Sequence, residues 1–268
     1  MSKKFGGNGG GGKPTKYQQQ MKGKGYSSSK QQGQTIRAYG RQESSQRTAL
    51  RLEGDEIDKK FGFDRMTEGE PRLGWLLNFL PISMADESGT EKSGLDLYFL
   101  DREGENFKAS IFYEPYFYLV VSDHRRVNEI TQHLQKRFEA CRIAPIKKED
   151  LEMANHLSGR LHTMLKLSFS TVSELMDAKM QLNPIIKANQ KRNKVQEEYY
   201  QDEDTEKIQK ASDNPLSFIS DMREYDVPYP MRVAIDTEIR VGGWHIVTPI
   251  QDSQVCTVVR QQEMLELC

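Results

Sequence analysis

Apolar residues recur along this chain at spacings that predict most of its secondary structure. Residues 74–81 form a short apolar run that reads as a buried strand. Residues 86–94 are polar and read as a loop. Residues 95–101 and 107–113 read as two strands joined by the Gly-containing, hairpin-length connection Arg102-Glu103-Gly104-Glu105-Asn106. In the second of them, Phe107, Ala109, Ile111 and Tyr113 alternate with more polar residues, so one face points inward. Pro115 fits an edge or a bulge, and residues 116–121 resume as a fully apolar run. Asp123 is placed to cap a helix carrying Val127, Ile130, Leu134 and Phe138. Residues 141–146 return as a short strand, and Leu161, Leu165, Leu167 and Phe169 mark another with period two. Thr171 and Glu174 then form a capping box, ahead of a helix striped by Val172, Leu175, Met176 and Met180 that Pro184 ends or kinks. With a closing strand at residues 244–248, the order from Phe107 predicts an α+β fold with the βαββαβ core of ferredoxin-like and RNA-recognition-like domains.

Two stretches fall outside that pattern. Residues 1–48 are rich in Gly, Gln, Ser and Lys and hold almost no large aliphatic residue. Ordering them would cost roughly 1–2 kcal/mol of backbone entropy per residue with little to bury, so a disordered tail is expected. Residues 193–213 are nearly all charged or amide and read as a surface insertion. The net charge of −1 conceals an asymmetry. The tail carries Lys3, Lys4, Lys13, Lys16, Lys22, Lys24, Lys30, Arg37, Arg41 and Arg47 against the single acid Glu43, and Tyr17, Tyr26 and Tyr39 lie among them. Such a segment binds nucleic acid loosely, by charge and stacking. Lys13, Lys16, Lys22, Lys24, Lys30, Arg37, Arg41 and Arg47 are its candidate contacts.

Candidate chemistry is sparse. Cys141, Cys256 and Cys268 are the 3 cysteines and have no paired or clustered spacing, which leaves reduced thiols of an intracellular protein. No run of about 18 apolar residues and no secretory leader is present, so no membrane association is expected. The 5 histidines form no metal motif. Asp236-Thr237-Glu238 is the one inviting pair, because two carboxylates two apart on a strand begin the two-metal site of a proofreading exonuclease. That chemistry needs four acids, and Asp252 is the sole Asp that follows. Met231, Ala234, Ile235 and Glu238 fall at helical spacing after Pro228 and Pro230, so surface carboxylates on a helix are expected instead. Neither a catalytic nor a metal-binding residue is assigned. The dense aromatic cluster Phe112, Tyr113, Tyr116, Phe117 and Tyr118 either stacks on bases from an open sheet or is buried beside the Pro115 bend.

The segment Arg223-Glu224-Tyr225-Asp226-Val227-Pro228-Tyr229, running through Arg232 to Asp236, is more specific than any periodicity. It resembles the corresponding signature of family-B DNA polymerases, and within them the catalytic subunits of the epsilon type. Phe61-Gly62-Phe63-Asp64-Arg65 with Gly74-Trp75-Leu76-Leu77-Asn78, the stretch Tyr113-Glu114-Pro115-Tyr116-Phe117-Tyr118, and Lys148-Glu149-Asp150-Leu151 with Asn155-His156-Leu157 resemble that family in the same order. The resemblance covers residues 57–248 and implies the family's N-terminal domain, with Arg223, Glu224, Tyr225, Val227, Pro228, Tyr229, Arg232 and Asp236 as structural signature residues. Residues 249–268 lack clear resemblance and are expected to be a divergent or truncated C-terminus. The Phe-Asp-Ile-Glu-Thr exonuclease motif and the family's polymerase carboxylates do not occur here. The resemblance therefore implies an inactive segment of a nuclear replicative polymerase. The full-length protein would use Mg2+, an iron–sulfur cluster and zinc, act on template and primer DNA, and assemble with further holoenzyme subunits; this segment would bind no cofactor. The alternative is a stand-alone single-stranded nucleic-acid-binding module, and a small nuclease using Asp236 and Glu238 is the least supported reading.

Overall fold

The computed structural model describes residues 45–149, 161–199 and 214–261. In chain order these form α1 (Ser45–Lys60), β1 (Asp64–Arg65), β2 (Arg72–Ala85), β3 (Glu91–Asp101), β4 (Asn106–Phe112), β5 (Tyr116–Val121), α2 (Val127–Arg137), β6 (Arg142–Glu149), β7 (Leu161–Ser168), α3 (Val172–Tyr199), β8 (Ile219–Arg223), α4 (Tyr229–Asp236), β9 (Trp244–Pro249) and β10 (Cys256–Arg260). The strands make two sheets, one ordered β1-β4-β3-β2-β9-β10 and the other β6-β7-β5-β8.

The second sheet is the expected βαββαβ unit, with every neighbouring pair antiparallel. Its boundaries differ from expectation at both ends. It opens at β5, not at residue 107, and closes with β8, not with residues 244–248. The latter segment is a strand, β9, but pairs with β2 and β10 in the first sheet. Local alternation predicts a strand and says nothing of its partner. Helices α2 and α3 cover one face through Val127, Ile130, Leu134, Leu175, Ala178, Leu182 and Ile186, packed on Phe117, Leu119, Leu165, Leu167 and Met222.

The capping box forms as its spacing requires: the Glu174 amide donates to Thr171 Oγ1 (3.2 Å), and the Thr171 amide donates to Glu174 Oε2 (3.1 Å). Helix α3 nevertheless runs through Pro184 to Tyr199. The Met180 carbonyl, four residues back, loses its amide partner but lies on a turn whose side chain is exposed, where water can replace the lost bond. Met176 and Met180 face solvent, and Leu175, Ala178, Leu182 and Ile186 form the buried stripe.

In the first sheet, Leu95, Leu97, Phe99, Phe107, Ala109 and Ile111 face a core closed by Val233, Ile239 and Val247. Asp96, Lys108 and Ser110 between them are buried too, at 4%, 1% and 0% exposure, because α1 lies across the opposite face, and Tyr98 there is partly buried. Residues 45–48, expected to belong to the tail, instead begin α1, and the Asp86–Gly94 loop is shorter, since β3 already begins at Glu91. β2 is longer than the run that predicted it, and Leu77 and Leu80 are exposed beside a register shift between Leu76 and Asn78. Gly94 permits a close approach of β3 to β4, because a Cβ there would sit 2.1 Å from the Ile111 carbonyl oxygen. The stretch beyond residue 249 adds β10, which pairs along β9 from Cys256↔Pro249 to Arg260↔His245.

Candidate functional site

The signature segment lies where the two sheets meet. β8 delivers Arg223, the chain bends through Glu224, and α4 starts after Pro228. Glu224 adopts φ 58°, a left-handed conformation that costs a non-Gly residue about 1 kcal/mol or more. Arg232, one turn into α4 and 7% exposed, holds that bend from both sides. Its Nη2 donates to the Glu224 carbonyl (2.9 Å), and its Nη1 donates to the Glu224 carboxylate and to Tyr116 Oη (3.1 Å). Lys148 of β6 pairs with the other Glu224 carboxylate oxygen. Burial alone would raise the Glu224 carboxyl, but hydrogen bonds from Lys148 and Arg232 outweigh it and hold the group below its usual range.

Asp236 closes the same network at the last residue of α4, accepting hydrogen bonds from Tyr113 and from Tyr116 (2.6 Å). Burial and donation to this carboxylate push both phenols above their ordinary range. The Tyr229 hydroxyl donates to the Tyr113 carbonyl (2.8 Å), tying the first turn of α4 to the β4–β5 link. Helix α4 thus occurs where its proline spacing predicts, but Met231 and Ile235 face outward while Arg232 and Val233 are buried. Glu238 lies beyond its end with φ 57°.

Strand register places Tyr116, Tyr118, Lys166 and Arg223 on the sheet face opposite the helices. An open aromatic face of this kind stacks bases when its rings are exposed. Here Tyr116 and Tyr118 are 7% and 6% exposed, so the buried alternative holds for them. Cations cover the rings: Lys166 Nζ sits 3.7 Å and Arg232 Cζ 4.4 Å from the Tyr116 centroid, and Lys148 Nζ sits 4.2 Å from that of Tyr118. Burial pulls the Lys166 ammonium below its usual range; Asp236 opposes this, and Arg142 and Arg232 add to it. The face therefore offers charge and no stacking platform. Lys166 was absent from the sequence-level candidates, because one Lys in a period-two strand is indistinguishable from an ordinary solvent-facing residue until the strand order places it over Tyr116.

Beside this face, Tyr225, Val227, Pro228 and Tyr229 line a cavity of about 240 Å³ with Pro115, Tyr116 and the first turns of α3. Lys179 lies 4.5 Å over the half-exposed Tyr225 ring. Arg223 pairs with Asp221. Among the tail candidates, Arg47 is on α1 and pairs with Glu91. Lys13, Lys16, Lys22, Lys24, Lys30, Arg37 and Arg41 lie outside the described residues, as do Cys268, most of the 193–213 insertion, and Asp150, Leu151 and Asn155-His156-Leu157.

Among the described residues, no group of three or more His, Cys, Asp or Glu is placed to hold a metal ion. Cys141 and Cys256 are buried in different cores. Burial pushes their thiols up to about 12 and about 11. These residues do not fit Mg2+, zinc or an iron–sulfur cluster. No described helix is long and apolar enough to cross a membrane.

Comparison with known proteins returned consistent relatives. A protein of Eremothecium gossypii, named as the catalytic subunit of DNA polymerase epsilon, is 42% identical over 209 residues, which is 72% of this chain and 9% of that protein. Proteins of the same name from Arabidopsis thaliana and Saccharomyces cerevisiae are 41% identical over 197 residues and 36% identical over 231 residues. Each match covers 72% of this chain, and the chain spans 9% and 10% of those two proteins. No protein-family model matches. Among solved structures, the family B DNA polymerase of the hyperthermophilic archaeon Pyrobaculum calidifontis aligns with a TM-score of 0.43 and 13% identity, over 70% of this chain and 20% of that one.

Proposed function

The aligned 72% of this chain is homologous to the catalytic subunits of DNA polymerase epsilon, and from that premise we propose that the chain is a non-catalytic N-terminal scaffold segment of such a replicative polymerase. On this reading, template-directed DNA synthesis and 3′–5′ proofreading in the nucleus belong to the longer protein. So do its Mg2+, iron–sulfur cluster and zinc, and its association with the other holoenzyme subunits. Residues 57–248 act as the family's N-terminal domain, and the Lys- and Arg-rich residues ahead of α1 add phosphate affinity.

The observation that carries the reading is how the signature residues are used. Arg232 and Glu224 fix a strained bend, and one Asp236 oxygen accepts from two tyrosine hydroxyls, so all three residues are engaged in holding the two sheets and α4 together. Arg223, Tyr225, Val227, Pro228 and Tyr229 are read with them as structural residues. Lys148 and Lys166 on the open face, together with the tail cations, supply attraction for single-stranded template.

The full 268-residue chain, given primed DNA, nucleotides and Mg2+, is expected neither to extend nor to shorten the primer. Metal-dependent loss of 3′ nucleotides that disappears in Asp236→Ala would overturn the reading. The alternative, a stand-alone single-stranded binding module that stacks bases on Tyr116 and Tyr118, is disfavoured by the burial of both rings. Fluorescence anisotropy with a labelled single strand separates the two: a strong fall in affinity with salt, about 0.7 in log–log slope per phosphate contact, supports binding by charge. Salt-resistant affinity that Tyr118→Leu abolishes favours the module.

A further inference from the structure

Helix α1 is amphipathic in the reverse sense. Of residues 46–60, none is buried, and Leu50, Leu52, Ile57 and the following Phe61 are 68%, 52%, 48% and 72% exposed. Leu50, Ile57 and Phe61 recur at spacings of seven and four, so they form one narrow outward stripe. The inward face is polar. Asp55 accepts from Arg65 (2.6 Å) and from Lys108 (2.6 Å), and Asp58 accepts from Lys108 (2.6 Å) and from the Tyr98 hydroxyl (2.9 Å). Arg65 also forks onto both oxygens of Asp96 at 2.7 and 2.9 Å, Arg51 lies 3.7 Å from Asp55, and Arg47 pairs with Glu91. The central cluster balances: the cations Arg51, Arg65 and Lys108 face the carboxylates of Asp55, Asp58 and Asp96. Beyond it, β1 presents Asp64 to Lys59, β3 presents Glu91 and the Tyr98 phenol, and β4 presents Ser110.

We propose that α1 is an ionically latched strap, held on the sheet by these carboxylate–cation contacts and able to open without unfolding the domain beneath it. An apolar helix interface is insensitive to single charges. A polar one is strongly sensitive, since removing one partner of a buried pair leaves the other charge uncompensated. For Lys108, at 1% exposure, opening of the strap is the route back to water. Asp55 sets the direction with pH. Its burial would raise the carboxyl, but hydrogen bonds from Arg65 and Lys108 outweigh that and lower it below 3.8. The latch is therefore complete above that ordinary value and weakens as pH falls through the lower folded one.

The test is hydrogen exchange on the full 268-residue chain at pH 7, comparing wild type with Asp55→Asn/Asp58→Asn. Amides of residues 50–60 are expected to exchange at least tenfold faster in the variant, while those of β3, β4, β5 and β7 stay within twofold. Unchanged protection of α1, or loss only in step with β3 and β4, overturns the proposal. Should the double variant fail to fold, Asp58→Asn alone is read in the same way. Leu50→Ala/Ile57→Ala/Phe61→Ala provides the converse: α1 protection stays within twofold if the outward stripe does no holding, and a tenfold loss there refutes the latch.

Discussion

Replacing Arg232 by Met keeps most of the side-chain volume and removes the charge that holds the β8–α4 bend. Arg232 makes three hydrogen bonds within the network, at 2.9 Å to the Glu224 carbonyl, at 3.1 Å to Tyr116 Oη, and to the Glu224 carboxylate. Bonds to charged groups contribute about 1.5–3 kcal/mol each. Breaking a buried ion pair by removing one partner costs about 3–5 kcal/mol in all. The loss here falls toward the lower part of that range, because Glu224 keeps Lys148 and its side chain is 27% exposed, and Tyr116 keeps Asp236. The strain at Glu224 acts the other way, since φ 58° is no longer over-determined by two bonds from one guanidinium. About 2–4 kcal/mol remains, which is about 5–15 °C in Tm for a domain of this size. Circular dichroism melts of the wild type and Arg232→Met measure it. Arg142→Ala supplies the contrast, because its pair with Glu114 is 73% and 51% exposed and is expected to shift Tm by no more than about 2 °C. If Arg232→Met and Arg142→Ala melt together, the clamp has been misread and the signature arginine has some other purpose.

Further outcomes follow from single contacts. Thr171→Ala removes the acceptor of the Glu174 amide and is expected to cost about 1 kcal/mol in urea unfolding, while Thr171→Ser restores most of it. Gly94→Ala forces a methyl to within 2.1 Å of the Ile111 carbonyl oxygen; the expected result is insoluble protein or a loss above about 4 kcal/mol, and a native melt would show that β3 and β4 can separate there. In a Cys268→Ser background, Cys141 and Cys256, with thiols pushed up to about 12 and about 11, are expected not to react with a thiol reagent at pH 8 until urea unfolds the chain. His245 accepts from the Arg240 amide at Nε2 and bonds the Gly243 carbonyl through Nδ1, so it is held neutral, and burial lowers its pKa below 6.5. A base depressed in the folded state favours the unfolded chain on acidification. Stability is therefore expected to fall as pH drops below 6.5, and His245→Gln to flatten that limb of the profile.

Much of this was legible from the chain alone where apolar spacing and burial coincide. Val127, Ile130 and Leu134 placed α2 because all three enter the core, and the β3–β4 hairpin followed from alternation around a Gly turn. Helix α1 was invisible for the converse reason: its docking face carries Arg47, Arg51, Asp55 and Asp58, and a rule that seeks apolar stripes assigns such a segment to solvent. β8 is only five residues long and carries Asp221 and Arg223, so it escaped notice although it closes the second sheet. The signature was recognisable by order and residue type. Its physical content, a left-handed Glu224 clamped by an arginine eight residues on, exists only once the chain has bent.

Adjacent residues of α4 serve different neighbours: Arg232 reaches the Tyr116 face of the second sheet, while Val233 fills the core of the first. One helical turn therefore belongs to both halves, and the chain between β4 and β8 has no seam at which to cut it. A fragment ending after β8 would bare the Val233 niche, and one beginning at β5 would leave Asp236 without its Tyr113 partner. For recombinant work, and for any protease that trims this polypeptide, the smallest piece that keeps its shape carries both sheets together.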